Sequence, residues 1–96
     1  MIDKRNAYQE KLAAQLEEWS AQVALLKAKA EKAGGQAKIE YNQITETLQR
    51  KHEEARMKLQ ELKGASDEAW EDLKEGTEKA WTEVKTAIQS AASKFK

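Results

Sequence analysis

Tyr8, Leu12, Trp19, Val23, Leu26, Ala30, Ala33, Ala37, Tyr41, Ile44, Leu48, Ala55, Leu59 and Leu62 recur in steps of three and four, or sums of them. At about 100° per residue such positions stay on one side of a helix, and the residues between them are mostly charged or amide-bearing. The chain contains no proline to break the pattern. The spacing predicts an all-α protein built from long amphipathic helices, the first running over residues 3–63. Asp3 is placed to cap its start, its carboxylate accepting from free amides of the first turn.

Two glycine sites punctuate the pattern. Near residues 64–66 the signals agree: Gly64 suits a helix stop, Ser66 an N-cap, and Asp67 and Glu68 the positive end of a new helix dipole. At Gly34-Gly35 they conflict. Each glycine costs a helix interior about 1 kcal/mol relative to alanine, and Lys27, Lys29 and Lys32 suit a C-terminus. Yet Gln36-Ala37-Lys38-Ile39 offers no cap and puts a cation in a first turn. The stripe also crosses the pair without a change of phase, a weak test because it crosses Gly64 nearly as well. The expectation is a continuous helix 3–63 with a soft spot or hinge at Gly34 and Gly35. The alternative is a hairpin there, giving three helices of about thirty residues each.

The segment after Gly64 carries an internal repeat. Ala69-Trp70, Ala80-Trp81 and Ala91-Ala92 lie eleven residues apart, as do Leu73 and Val84, which is three turns of a nearly straight helix. Trp70, Leu73, Trp81, Val84, Ile88 and Phe95 form a bulky stripe, with Ala69, Gly76, Ala80, Ala87 and Ala91 as a small-residue flank. That apolar sector is too wide for a two-helix seam, so helix 66–95 expects two neighbours. Folded back antiparallel it covers residues 34–62 and leaves the stripe of residues 8–33 bare, which water disfavours. A three-helix cross-section covers everything. It forms either as a monomeric bundle bent at the glycines or, as the favoured expectation, as a dimer in which residues 1–33 lie on a second chain. The two are domain-swapped forms of each other. Leu12, Trp19, Leu26, Ile44, Leu48, Leu59, Trp70, Leu73, Trp81 and Val84 are the residues expected to carry assembly.

Composition narrows the function. Ninety-six residues allow one domain, and a chain that is 35% charged and rich in Ala, Glu, Lys and Gln has the make-up of coiled coils. The seventeen cations and seventeen anions are interleaved, so no basic face marks a nucleic-acid partner. Residues 64–96 lean acidic, five Lys against seven Asp and Glu. There is no cysteine, no secretory leader pattern at Met1–Asn6 and no apolar run of spanning length, which sets cytoplasmic as the expected location.

Candidate chemistry is thin. His52, the only histidine, stands beside Glu53 and Glu54, but with no second His or Cys to complete a metal site it reads as a solvated edge residue. The pairs Glu17-Glu18 and Asp67-Glu68 lie on helices, without the pocket that acid–base catalysis needs or the oxygen-dense loop that calcium needs. No catalytic, cofactor-binding or metal residues are assigned, and an enzyme is not expected. Trp19, Trp70 and Trp81 read first as core anchors and second as membrane-interface residues. The second reading is opposed by Glu71, Asp72, Glu75, Glu78 and Glu83 on the polar face, with only Lys74 and Lys85 bordering the stripe. Ile39 and Met57, five turns apart opposite the main stripe, and Leu25 beside its own, are lone exposed apolar residues or a second contact face for higher assembly or a client protein.

Certain blocks resemble a group of short bacterial coiled-coil proteins connected with stress responses. They are Tyr8-x-x-Lys11-Leu12-x-x-Gln15-Leu16-x-x-Trp19, Ala37-Lys38-Ile39-Glu40-Tyr41, and above all Leu62-Lys63-Gly64-Ala65-Ser66-Asp67-Glu68-Ala69-Trp70-Glu71-Asp72-Leu73-Lys74. Ala80-Trp81 and the ending Ser93-Lys94-Phe95-Lys96 complete the likeness, which covers essentially the whole chain. Gly34-Gly35 departs from that group's pattern of helix formers. The eleven-residue repeats are similar to those of exchangeable apolipoproteins and late-embryogenesis proteins. The resemblance implies a stress-related scaffold or interaction protein and brings no catalytic residues. The expected partner is a second copy of the chain, with a protein client or a lipid surface beyond it.

Overall fold

A computed structural model describes residues 2–95 of the chain, with side chains from Lys4 onward. Three helices follow one another: α1 (Ile2–Lys32), α2 (Gly35–Lys63) and α3 (Asp67–Lys94). They pack up-down-up into a rod of 52 × 18 × 18 Å. The three-helix cross-section is therefore present, and its apolar stripes meet along one continuous core.

Of the two connectivities open to the sequence, the chain takes the bent one. Helix 3–63 does not run through; it stops at Lys32 and restarts at Gly35. Ala33 N–H closes α1 by donating to the carbonyls of Lys29 and Ala30 at 3.1 and 3.2 Å. Gly34 is extended, at φ −105° and ψ 159°. Gly35 takes φ +61°, a left-handed backbone open to glycine but strained for other residues. The bend lets the stripe of α1 pack within its own chain. In the hairpin its Leu12, Leu16, Trp19, Val23, Leu26 and Ala30 are buried by helices of the same chain, so no second copy is needed to cover them. Burying a Leu side chain is worth about 1.5–3 kcal/mol, so a form that left this stripe bare would be far less stable. The cap proposed for Asp3 falls on a side chain outside the described residues, and α1 already begins at Ile2.

The second joint forms where the sequence places it. Ser66 Oγ accepts from Ala69 N–H at 3.3 Å, with Asp67 and Glu68 in the first turn of α3. Gly64 ends α2 by donating to the Gln60 carbonyl at 3.2 Å. It does so at φ −91°, so left-handed backbone is not what this glycine supplies.

Candidate interaction site

The side chains expected to carry assembly lie along the axis of the bundle. Leu12, Trp19, Leu26, Leu48, Leu59, Trp70, Trp81 and Val84 are buried, and Ile44 and Leu73 are half-buried against them. Leu48, Leu62 and Val84 are the largest of the fully enclosed apolar side chains.

α1 and α3 run parallel in a fixed register. Arg5 pairs with Asp67, Tyr8 meets Trp70, and Trp19 meets Trp81, each at an offset of 62 residues. The ring centroids are 5.7 Å apart in the edge-to-face Tyr8–Trp70 pair and 5.8 Å apart in the tilted Trp19–Trp81 pair. Such contacts add about 0.5–1.5 kcal/mol beyond area burial. α1 shares the eleven-residue spacing of α3: Tyr8 and Trp19 face Trp70 and Trp81, and Ala30 follows Trp19 by eleven residues as Ala92 follows Trp81. The same sequence spacing sits in both helices, but only the packing makes the two runs partners.

The two layers are finished differently. At the outer layer Trp70 Nε1 donates to Gln9 Oε1 at 3.1 Å, while Arg5 and Lys74 lie over the ring at 5.0 and 5.7 Å. Tyr8 donates to Glu78 Oε1 at 3.1 Å. Burial of the phenol, followed by that hydrogen bond and the charge of Glu78, pushes its pKa up to about 12. At the inner layer the buried Trp81 Nε1–H has no protein partner among the described residues. The opposite end of the rod closes with Tyr41 stacked on Phe95 at 4.1 Å and its hydroxyl donating to the Lys94 carbonyl at 3.2 Å.

His52 is not the solvated edge residue read from its neighbours. It is half-buried, and Nε2 lies 2.9 Å from the Leu16 carbonyl; since a carbonyl only accepts, Nε2 carries the proton and ties α2 to α1. The neighbouring Glu53 is engaged with Arg56, whose hydrogen bond holds its carboxyl below the usual range. Among the described residues no three His, Asp or Glu side chains converge where a metal ion would be held. Leu16, Thr45 and Thr77 join the core without having stood out in the apolar spacing. The two threonines resemble valine in shape and satisfy their hydroxyls on their own helices, Thr45 on Asn42 O at 2.9 Å and Thr77 on Leu73 O at 2.8 Å.

Outside the core, Leu25, Ile39 and Met57 are exposed at 65%, 60% and 54%. Small Ala87, Ser90 and Ala91 opposite Tyr41, Ile44 and Leu48 leave a groove of about 670 Å³ between α3 and α2. Among the described residues no helix is long and apolar enough to cross a membrane. Comparison with protein-family models, with curated proteins and with solved structures gives no match for this chain.

Proposed function

We infer that the protein is a non-enzymatic, self-associating helical scaffold or interaction protein, its stress connection resting on the resemblance of its sequence blocks. One observation carries the reading. The core runs the length of the rod, and the buried threonines, Thr45 and Thr77, spend their hydroxyls on their own backbones. Buried polar groups held in reserve in a cleft are what chemistry requires. Here the buried inventory serves packing, and the charged exterior keeps the rod dissolved. Sedimentation equilibrium over a wide concentration range tests the reading: the mass rises from one chain to two, and a single-chain mass at every concentration removes it.

The groove between α2 and α3 favours one second reading, reversible binding to lipid surfaces, because the half-buried Tyr41, Ile44 and Ala87 line it. Anionic vesicles added to the protein then shift tryptophan emission to the blue. An unchanged spectrum removes this reading and leaves the first untouched.

A further inference from the structure

We propose that the partner in self-association is a second copy that supplies α1, exchanged by straightening the joint at Gly34-Gly35; the proposal rests on the self-association reading and says how it is achieved. The buried residues of α1 lie on one stripe, facing α2 and α3. Its covalent link to them is short and weakly built: α2 has no side-chain cap and no acidic residue in its first turn. Both glycines look into open space, with no atom beyond their immediate chain neighbours within 4 Å of where a Cβ would stand, so no side chain packs against them. Ala30, Ala33, Ala37, Tyr41 and Ile44 keep their three-and-four spacing through the joint. A helix straightened through residues 33–35 therefore presents an unbroken stripe.

Straightening bares two complementary surfaces on one molecule: the stripe of α1 and the α2–α3 seam it vacated. A second straightened copy, turned end for end, fills both. Each α1 then meets the residues it meets now, at the same offset of 62, but on the other chain. This is an isologous exchange, and few contacts change apart from those at the joint itself. Small residues at the joint leave room for a neighbouring chain to pass, and glycine tolerates both the bent and the straight backbone.

The test uses the absence of native cysteine. One preparation carries Arg5→Cys and another Asp67→Cys, at the exposed ion pair that reports the α1–α3 register. The two are mixed at high concentration, unfolded, refolded together and treated with a short bismaleimide. Exchange yields two-chain products joining residue 5 of one preparation to residue 67 of the other. A dimer of native mass without that link means self-association through another face, such as Ile39 and Met57; it overturns the exchange and spares the scaffold reading. A single-chain mass at every concentration overturns both.

A second arm replaces both glycines, Gly34→Ala with Gly35→Ala, which favours the straight helix. The mass doubles at a concentration where the native chain is mostly monomeric, with helical signal retained. A folded variant that remains monomeric overturns the proposal. Loss of helix in this variant hands the decision to the first arm, where both glycines are intact.

Discussion

The two joints of the rod have similar tasks and opposite construction. Between α2 and α3, Ser66 caps the new helix, Asp67 and Glu68 favour its positive end, and Arg5 reaches across from α1 to Asp67 and the Ala65 carbonyl. Beneath it lie Leu62, fully buried, and the Tyr8–Trp70 pair. Between α1 and α2 there is no side-chain cap, and the nearest stripe residues, Ala30, Ala33 and Ala37, are all alanine. One joint is held by named interactions; the other persists because the helices it connects have somewhere to pack. A turn of the second kind belongs to the whole bundle and is the natural place for the chain to change partners.

The largest break in this contrast comes from the core beneath each joint. Leu62→Ala lowers stability by about 2–5 kcal/mol, whereas Ala30→Gly at the other end costs about 1 kcal/mol. Urea denaturation of dilute protein checks both, and equal losses would erase the difference. Next are the glycines. Gly35→Ala places a Cβ on left-handed backbone and destabilises the closed bundle by about 1–2 kcal/mol, while Gly64→Ala, at φ −91°, gains about 0.4–1 kcal/mol through a less flexible unfolded chain. Thermal unfolding separates the two signs.

Removing the cap with Ser66→Ala costs about 1 kcal/mol and lowers the melting temperature accordingly. Smaller, and confined to alkaline solution, is the contribution of Tyr8. Its pKa is raised from 10.0 to about 12 in the folded state, so the unfolded chain loses the phenol proton first. Stability from this group is complete below pH 10 and falls as pH climbs towards 12. Tyr8→Phe flattens that part of a melting-temperature profile, and an unaltered slope would detach Tyr8 from it. The smallest effect is a gain. Gly34→Asn gives α2 the cap it lacks, and a few tenths of a kcal/mol follow, read as a slightly higher urea midpoint.

What the sequence discloses follows the same division. The joint at residues 64–66 is legible because its signals are local: Ser66, Asp67 and Glu68 act on amides within one turn. The joint at Gly34 is not, because nothing local decides it. Propensity disfavours glycine in a helix, spacing carries on through it, and Leu12, Trp19 and Leu26 are buried alike whether the other two helices come from their own chain or from a second copy. The core residues of the candidate site are legible from their periodicity, with Thr45 and Thr77 escaping because a hydroxyl disguises a valine-like shape. His52 escapes for another reason: its partner is a backbone carbonyl of α1, and no reading of neighbouring residues reveals a contact across helices. The α1–α3 register stands in the spacing of Tyr8 and Trp19 against Trp70 and Trp81, but a shared period becomes a pairing only once the helices are parallel.

Because an up-down-up rod sets the beginning of α1 and the finish of α3 at opposite poles, dyes on Lys4 and Lys94 stand roughly 46 Å apart, about the length of a 31-residue helix. If α1 swung outward, its far tip would travel to a similar separation on the other side of the glycines. Energy transfer between the chain's extremities is thus almost blind to that motion, whereas dyes on α1 and α3 at the level of Trp19 and Trp81 would register it as a complete loss of proximity.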